Sequence, residues 1–154
     1  MVCKLLILEQ GVGKAMPLEY KFMGEKILVL DSDRNRHKMA ESLLDEAGYE
    51  AVAVEDEVSL LQALKEEGGF AAVLVRESAY GGLRGMDVLQ DIKTIFPEMP
   101  VVISARSLTP QAIQHFTGIG AFFCMEKEAE GDLLVKVLSK AINENKSSSE
   151  KKSA

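Results

Sequence analysis

The sequence predicts an α/β fold, a doubly wound parallel sheet of five strands with helices on both faces. Through residues 24–144, short apolar runs alternate with amphipathic stretches. Continuous apolar runs are typical of strands buried on both faces, and a 3.6-residue apolar spacing is typical of helices. Their alternation indicates successive β–α units, and therefore a parallel sheet. The predicted strands cover residues 27–30, 51–54, 71–75, 101–103 and 121–125.

Five helices are predicted between and after these strands, each with apolar residues at helical spacing. The first begins near Arg34 and ends before Gly48, since glycine is favoured just past a helix end. Thr109 and Pro110 open the fourth helix as an N-cap followed by a first-turn proline. Methionines at helical spacing are assigned to the core. Gly68-Gly69 ends the second helix, Pro97 ends the third, and the last covers residues 133–142.

Composition restricts the class of protein. A chain of 154 residues suits one domain with a proper core. Its 24 acidic and 18 basic residues leave a net charge of −6, which does not favour direct contact with nucleic acid. No apolar stretch approaches the roughly 18 residues of a membrane span. Cys3 and Cys124 are far apart and no secretory signal is evident, so free thiols and a cytoplasmic location are expected.

Three segments are expected along the chain. Residues 1–23 form an N-terminal extension of uncertain order, and residues 24–144 form the domain. The polar residues 145–154 are expected to be a disordered tail, because they offer almost nothing to bury.

Charged side chains stand where several of the predicted strands end. Asp31 and Asp33 close the first run, Arg76 closes the third, and Lys127 follows the fifth. Open α/β folds place their ligands at this carboxyl edge of the sheet. Carboxylates from two strands would build a site for a divalent metal and a phosphoryl group. A guanidinium at Arg76 predicts instead that such a site is lost or repurposed.

Several short segments occur in a characteristic order and spacing. They are Lys26-Ile-Leu-Val-Leu-Asp31, Gly48-Tyr49, Met99-Pro-Val-Val-Ile-Ser104-Ala105, and Gly120-Ala121 followed by Lys127. Together they resemble the receiver domain of two-component response regulators, which is CheY-like. The resemblance covers about residues 25–144 and implies the strand order 2-1-3-4-5. In that family, acids after the first strand bind Mg²⁺, and an aspartate ending the third strand accepts a phosphoryl group.

The resemblance places Arg76 at the phosphoacceptor position and Asp31 at the first acid. Ser32 falls where the second acid is usual, and Asp33 follows it. Arginine stays protonated and cannot act as the nucleophile. It would also repel Mg²⁺ and pair with the carboxylates. We therefore expect Arg76 to pair with Asp31 or Asp33 and Mg²⁺ binding to be lost, although both aspartates could simply cap the first helix.

Three further positions complete the site that the resemblance implies. Ser104 matches the hydroxyl residue that bonds the phosphoryl group, although the fourth strand is one residue short after Pro100, which leaves its register open. Lys127 matches the lysine that pairs with the same anion, and we expect it to form an intramolecular ion pair. Cys124 falls where the family has an aromatic switch residue. A domain without phosphoacceptor and switch aromatic is predicted to stay in one state.

The resulting functional expectation is a degenerate receiver that is not an enzyme and has no cofactor. It would act without phosphorylation, as a protein–protein interaction module in two-component-type signalling. The family usually associates through the face of the fourth helix, fifth strand and fifth helix, here residues 111–140. Phe116, Phe122 and Phe123 are its candidate anchors or core residues, and a homodimer through it is expected, with no nucleic-acid or membrane contact.

Two alternatives remain open. Glu77 or Asp33 could serve as a non-standard acidic residue that takes the phosphoryl group or the metal. Counting back from the third helix puts Glu77 at the acceptor spacing, which forces Arg76 into the buried part of the strand, at a cost if unpaired. The other alternative is an anion or small-molecule site built from Arg76 and Lys127.

Overall fold

The five predicted strands form one parallel sheet. The computed structural model describes residues 25–77, 83–126 and 130–153, without the side chains of residues 77, 83–84 and 146–153. The strand order is β2-β1-β3-β4-β5, which confirms the predicted architecture. The elements are β1 Lys26–Asp31, α1 His37–Glu46, β2 Glu50–Val54, α2 Glu57–Glu66, β3 Phe70–Glu77, α3 Leu83–Ile95, β4 Val101–Ala105, α4 Pro110–Ile119, β5 Phe123–Glu126 and α5 Asp132–Ser153.

Apolar clusters cover both faces of the sheet, because side chains alternate between the faces along each strand. Leu28 and Ile103 point to the face packed by α2, α3 and α4, where Phe116 is fully buried. Ile27 and Val102 point to the face packed by α1 and α5. The central strands are consequently inaccessible along their length, and only their ends can present polar groups.

Strands β3 and β4 run further than their apolar residues predict. The register pairs Asp31 with Arg76, Arg76 with Ser104, and Glu77 with Ala105. The predicted ends after residues 75 and 103 were therefore too early, since backbone pairing continues into the polar residues. Conversely, β5 begins at Phe123 rather than at residue 121.

The first helix begins later than predicted. A 3-10 turn occupies Arg34–Arg36, and α1 begins at His37. The Asp33 side chain caps the turn by accepting a hydrogen bond from the backbone N–H of Asn35. Met39, which was assigned to the core, is 68% exposed. The assignment of Met39 to the core was therefore wrong. The spacing of apolar residues does not show which way a helix is rotated about its axis over the sheet.

The last helix is longer than its apolar stripe. It continues to Ser153, so residues 145–153 are helical where disorder was expected. After Gly131 the segment contains neither glycine nor proline, and helical hydrogen bonds can propagate through polar residues. The predicted extension at residues 1–23 lies outside the described residues. No helix in the described part of the chain is long and apolar enough to cross a membrane.

Phe116 provides a test of this packing. We expect Phe116→Ala to lower the free energy of unfolding by about 3–5 kcal/mol, because it empties a fully buried aromatic position on α4. The exposed Gln114 on the same helix is the control, and Gln114→Ala should change stability by less than about 0.5 kcal/mol. Urea unfolding followed by circular dichroism measures both. Equal effects of the two substitutions would contradict the packing of α4.

Candidate functional site at the carboxyl ends of the strands

Three polar side chains are buried where β1, β3 and β4 end. Asp31 and Ser104 are fully buried and Arg76 is 8% exposed. Because these residues are neighbours in the sheet register, they form a row across three strands. Among the described residues they are the polar or charged side chains that are buried. The row thus lies at the edge where the sequence predicted a site.

The carboxylate of Asp31 is saturated with hydrogen-bond donors. Its Oδ1 accepts from the backbone N–H of Asp33 at 2.9 Å and from Arg36 Nη2 at 2.7 Å. Its Oδ2 accepts from Arg36 Nε at 3.0 Å and from Arg76 Nη1 at 3.2 Å. An ionised carboxylate offers about four acceptor positions, and here four donors fill them. The expected ion pair between Arg76 and Asp31 is present.

The opposite side of the Arg76 guanidinium pairs with Glu130. Arg76 Nε donates to Glu130 Oε2 at 3.2 Å, and Nη2 donates to Oε1. This is the bidentate arrangement in which the planar fork of arginine matches a carboxylate. Nη1 also lies 3.5 Å from the carbonyl oxygen of Arg36. A buried guanidinium is tolerated only with such partners, and Arg76 has a carboxylate on each side.

Glu130 also connects the network to β4. The hydroxyl of Ser104 donates a short hydrogen bond to Glu130 Oε2, the same oxygen that accepts from Arg76 Nε. Glu130 lies two residues before α5, and its side chain is only 11% exposed. Its carboxylate therefore links the residues just before α5 to the ends of β3 and β4.

Sequence reasoning did not identify Glu130 or Arg36. Glutamate near a helix N-terminus has an ordinary explanation in the helix dipole, so Glu130 carried no special signal. Arg36 lies five residues after Asp31, and the 3-10 turn that directs it back was not predicted. Asp33 was considered as a partner of Arg76, but it caps the turn and lies 3.8 Å from Arg36.

The residues present do not fit Mg²⁺. Two guanidinium groups, Arg36 and Arg76, face the carboxylates of Asp31 and Glu130, so the four charges balance. The hydrogen bond to Asp31 raises the pKa of Arg36 above its usual value, against the lowering effect of burial. Mg²⁺ needs free oxygen ligands. The oxygens of Asp31 are occupied, and the described residues contain no cluster of three or more His, Cys, Asp or Glu side chains suited to a metal.

The remaining predicted site residues contribute less. Lys127 and the side chain of Glu77 lie outside the described residues. Cys124 is half-buried in β5 and packs against the core, and burial raises its pKa to about 11. It therefore remains a neutral thiol near pH 7.

A cavity of about 480 Å³ adjoins the network between α1 and the start of α5. Arg36, Arg76 and Glu130 form its polar end, and its apolar wall includes Met39 and Leu134. The cavity is partly open to solvent, and the Arg76–Glu130 pair lies at its polar end.

Substitution of Asp31 tests how much the ion-pair network contributes to the stability of the fold. We expect Asp31→Asn to lower the free energy of unfolding by about 3–5 kcal/mol, because the buried Arg76 and the partly buried Arg36 each lose a charged partner. The exposed pair of Arg34 and Glu55 supplies the control. Glu55→Gln should cost at most about 1 kcal/mol. Chemical denaturation of both variants is the measurement, and similar losses would argue against a special role for the buried network.

Solved structures of response-regulator receiver domains resemble this chain. A receiver domain protein from Clostridium thermocellum has a TM-score of 0.72 and 26% identity, over 80% of this chain and 98% of the other. NtrX from Brucella abortus has a TM-score of 0.75 and 26% identity over 85% of this chain, which spans only 29% of NtrX. A CheY-like receiver protein from Methanospirillum hungatei JF-1 has a TM-score of 0.70 and 16% identity, over 80% of this chain and 98% of the other. Neither a protein-family model nor a curated protein matches the sequence. The chain thus has the CheY-like fold of response-regulator receiver domains.

Proposed function

We propose that this chain is a degenerate receiver domain that acts without phosphorylation, as a protein–protein interaction module and not as an enzyme. One observation carries the proposal. Arg76 ends β3 in register with Asp31 and Ser104, and its guanidinium is engaged by carboxylates on both sides. An ion-pair network thus stands where phosphoryl chemistry would need an oxygen nucleophile and a metal ion.

The chemistry of phosphoryl transfer supports this proposal. The reaction needs an attacking oxygen in line with the phosphoryl group and cations that neutralise the developing charge. The side chain of Arg76 offers no nucleophile. The oxygens of Asp31 accept from Arg36, Arg76 and a backbone N–H, so a metal would have to displace charged donors from a buried site.

The connectivity of the network supports a domain held in one conformation. Ion pairs and hydrogen bonds join the ends of β1, β3 and β4 to Glu130 before α5. A switch needs a ligand that binds one of two states more tightly than the other. A network whose partners all belong to the chain supplies no such ligand-dependent difference. The module would present its surface constitutively.

The alternatives at Asp33 and at Arg76 with Lys127 gain less support, whereas the structure removes the main objection to the one at Glu77. Asp33 is an exposed capping residue whose carboxylate already accepts from Asn35. An anion site built on Arg76 and Lys127 would compete with the two carboxylates that hold Arg76. The objection to the Glu77 alternative was that it buries an unpaired Arg76. In the structure Arg76 is buried but paired with carboxylates, so this cost is absent.

The proposed interaction surface is the face of α4, β5 and α5. Phe123 on β5 is 40% exposed, Ile113 on α4 is 40% exposed, and Leu133 on α5 is 39% exposed. Strand β5 lies at the edge of the sheet, where backbone and side chains can meet a partner. Phe116 is a core residue and Phe122 packs against the core, so Phe123 is the anchor that we propose. A second copy of the chain, associated through the same face on both subunits, is the simplest partner.

The loss of phosphoryl chemistry is testable by NMR. Mg²⁺ with beryllofluoride, a phosphoryl mimic, should leave the wild-type amide spectrum unchanged, since the site offers neither nucleophile nor metal ligands. Arg76→Asp adds a carboxylate beside Asp31 and should restore a Mg²⁺-dependent response centred on β1, β3 and β4. Arg76→Asn, which adds no charge, is the matched control and should stay silent.

A wild-type response at Asp31 and Glu77 would overturn the proposal. It would favour phosphorylation or metal binding through the non-standard acid instead. A phosphoryl adduct that is labile in acid, in base and to hydroxylamine is expected for an acyl phosphate, and mass spectrometry at mildly acidic pH would identify the acceptor residue.

Self-association through the proposed face is tested by sedimentation velocity. We expect a concentration-dependent homodimer that Phe123→Asp weakens by roughly 30-fold or more in Kd, as for a central apolar anchor. Val58→Asp is the control, because Val58 is 75% exposed on α2, which packs against β1 at the far side of the sheet from β5. A wild-type monomer at all concentrations, or a dimer indifferent to Phe123→Asp, would contradict this interface.

A further inference from the structure

We propose that Arg76 and Ser104 form an oxyanion site that the carboxylate of Glu130 occupies from within the same chain. The inference deepens the proposed function, on which it rests for its biological meaning, by naming the group that holds the site in one state. In the intact protein Glu130 excludes external anions. Without that side chain, the site would take a small oxyanion such as acetate or inorganic phosphate.

The donors of this site are fixed by the sheet. Arg76 and Ser104 are paired in register on adjacent parallel strands, and both are buried. Their donors converge on one carboxylate, with two hydrogen bonds from the guanidinium and one from the hydroxyl. A planar guanidinium with a neighbouring hydroxyl is a suitable receptor for carboxylate and phosphate oxygens. Since the donors belong to rigid strands, the receptor should persist when its occupant is removed.

The occupant comes from outside the sheet. Glu130 precedes α5 and is separated from Arg76 by 54 residues and from Ser104 by 26. A glutamate that served only the dipole of α5 could remain in water, and Asp132 already provides an acid in the first turn. Glu130 instead has an 11% exposed side chain, and burial of a carboxylate is costly without compensating donors. Its position is therefore explained by the receptor and not by the helix.

Charge balance explains why the receptor needs an anion. Arg36 donates twice to Asp31, and that pair accounts for one charge of each sign. Arg76 donates once to Asp31, and its remaining compensation comes from Glu130. Loss of the Glu130 side chain would leave an excess positive charge, guanidinium donors without an acceptor, and a Ser104 hydroxyl without its partner. The adjoining cavity of about 480 Å³ offers space and access for a small anion.

Chemical rescue of Glu130→Ala tests the inference. The variant should melt at least about 5 °C below the wild type in chloride. Inorganic phosphate or acetate, added at constant ionic strength, should raise its melting temperature saturably. Amide NMR should show the accompanying shifts at Arg76 and Ser104. The wild type should show no saturable shift at these amides, since Glu130 occupies the site.

Two control variants make the result specific. Glu144→Ala removes an exposed glutamate whose partner Lys140 is 3.9 Å away, and anions should not rescue or shift it. The double variant Glu130→Ala with Arg76→Met removes the receptor itself and should not respond to anions. If Glu130→Ala is unfolded in chloride, refolding on addition of phosphate becomes the readout in place of the melting temperature. Glu130→Gln, whose side chain has nearly the same size, then tests the loss of the negative charge in a folded protein. The Gln variant should shift the Arg76 and Ser104 amides.

Absence of any anion response in Glu130→Ala would overturn the inference, as would an equal response in Glu144→Ala. Such a result would leave the proposed function standing, since that depends on the wild-type response to Mg²⁺ and beryllofluoride. Conversely, a wild-type phosphoryl response would remove the proposed function without deciding whether Arg76 and Ser104 bind anions once Glu130 is gone.

Discussion

The buried guanidinium of Arg76 is the constraint around which the strand ends are organised. Arginine cannot lose its charge in a protein, so burial requires carboxylates at short range. Asp31 satisfies one side and Glu130 the other. The first of these partners is on a neighbouring strand, whereas the second must be brought from the approach to α5. One buried charge thus connects the sheet to its last helix.

The same constraint determines which groups occupy the carboxyl edge of the sheet. A receiver-like fold places the ends of β1, β3 and β4 side by side, an arrangement in which oxygen ligands could collect around a metal. Here the guanidinium groups of Arg36 and Arg76 are the cations, and the carboxylate of Asp31 binds both directly. Unlike a metal or a phosphoryl group, these cations cannot leave. The charges at this edge of the receiver-like fold are thus balanced by side chains of the chain itself.

Much of the fold was predictable because its signals are local. Apolar runs at strand spacing and stripes at helical spacing locate all five strands and helices, and the resemblance supplied their order. The pairing of Arg76 with Asp31 followed from two opposite charges at the ends of strands expected to be neighbours. The rotation of α1 over the sheet and the length of α5 could not be predicted from the sequence pattern. Met39 is exposed and α5 continues through polar residues to Ser153, because these outcomes depend on packing and helix propagation instead of on periodicity.

The sequence by itself determined the class of fold, the fixed positive charge of Arg76 at the end of the third strand and the need for a partner to that charge. These depend on residue types and on short-range periodicity, which can be read along the chain. Only the tertiary structure decided which carboxylates are used, how Arg36 shares Asp31, and that Ser104 and Arg76 converge on Glu130. The physical reason is distance. Ion pairs and hydrogen bonds act over about 3 Å, and the residues that approach so closely are separated by up to 54 positions in the chain.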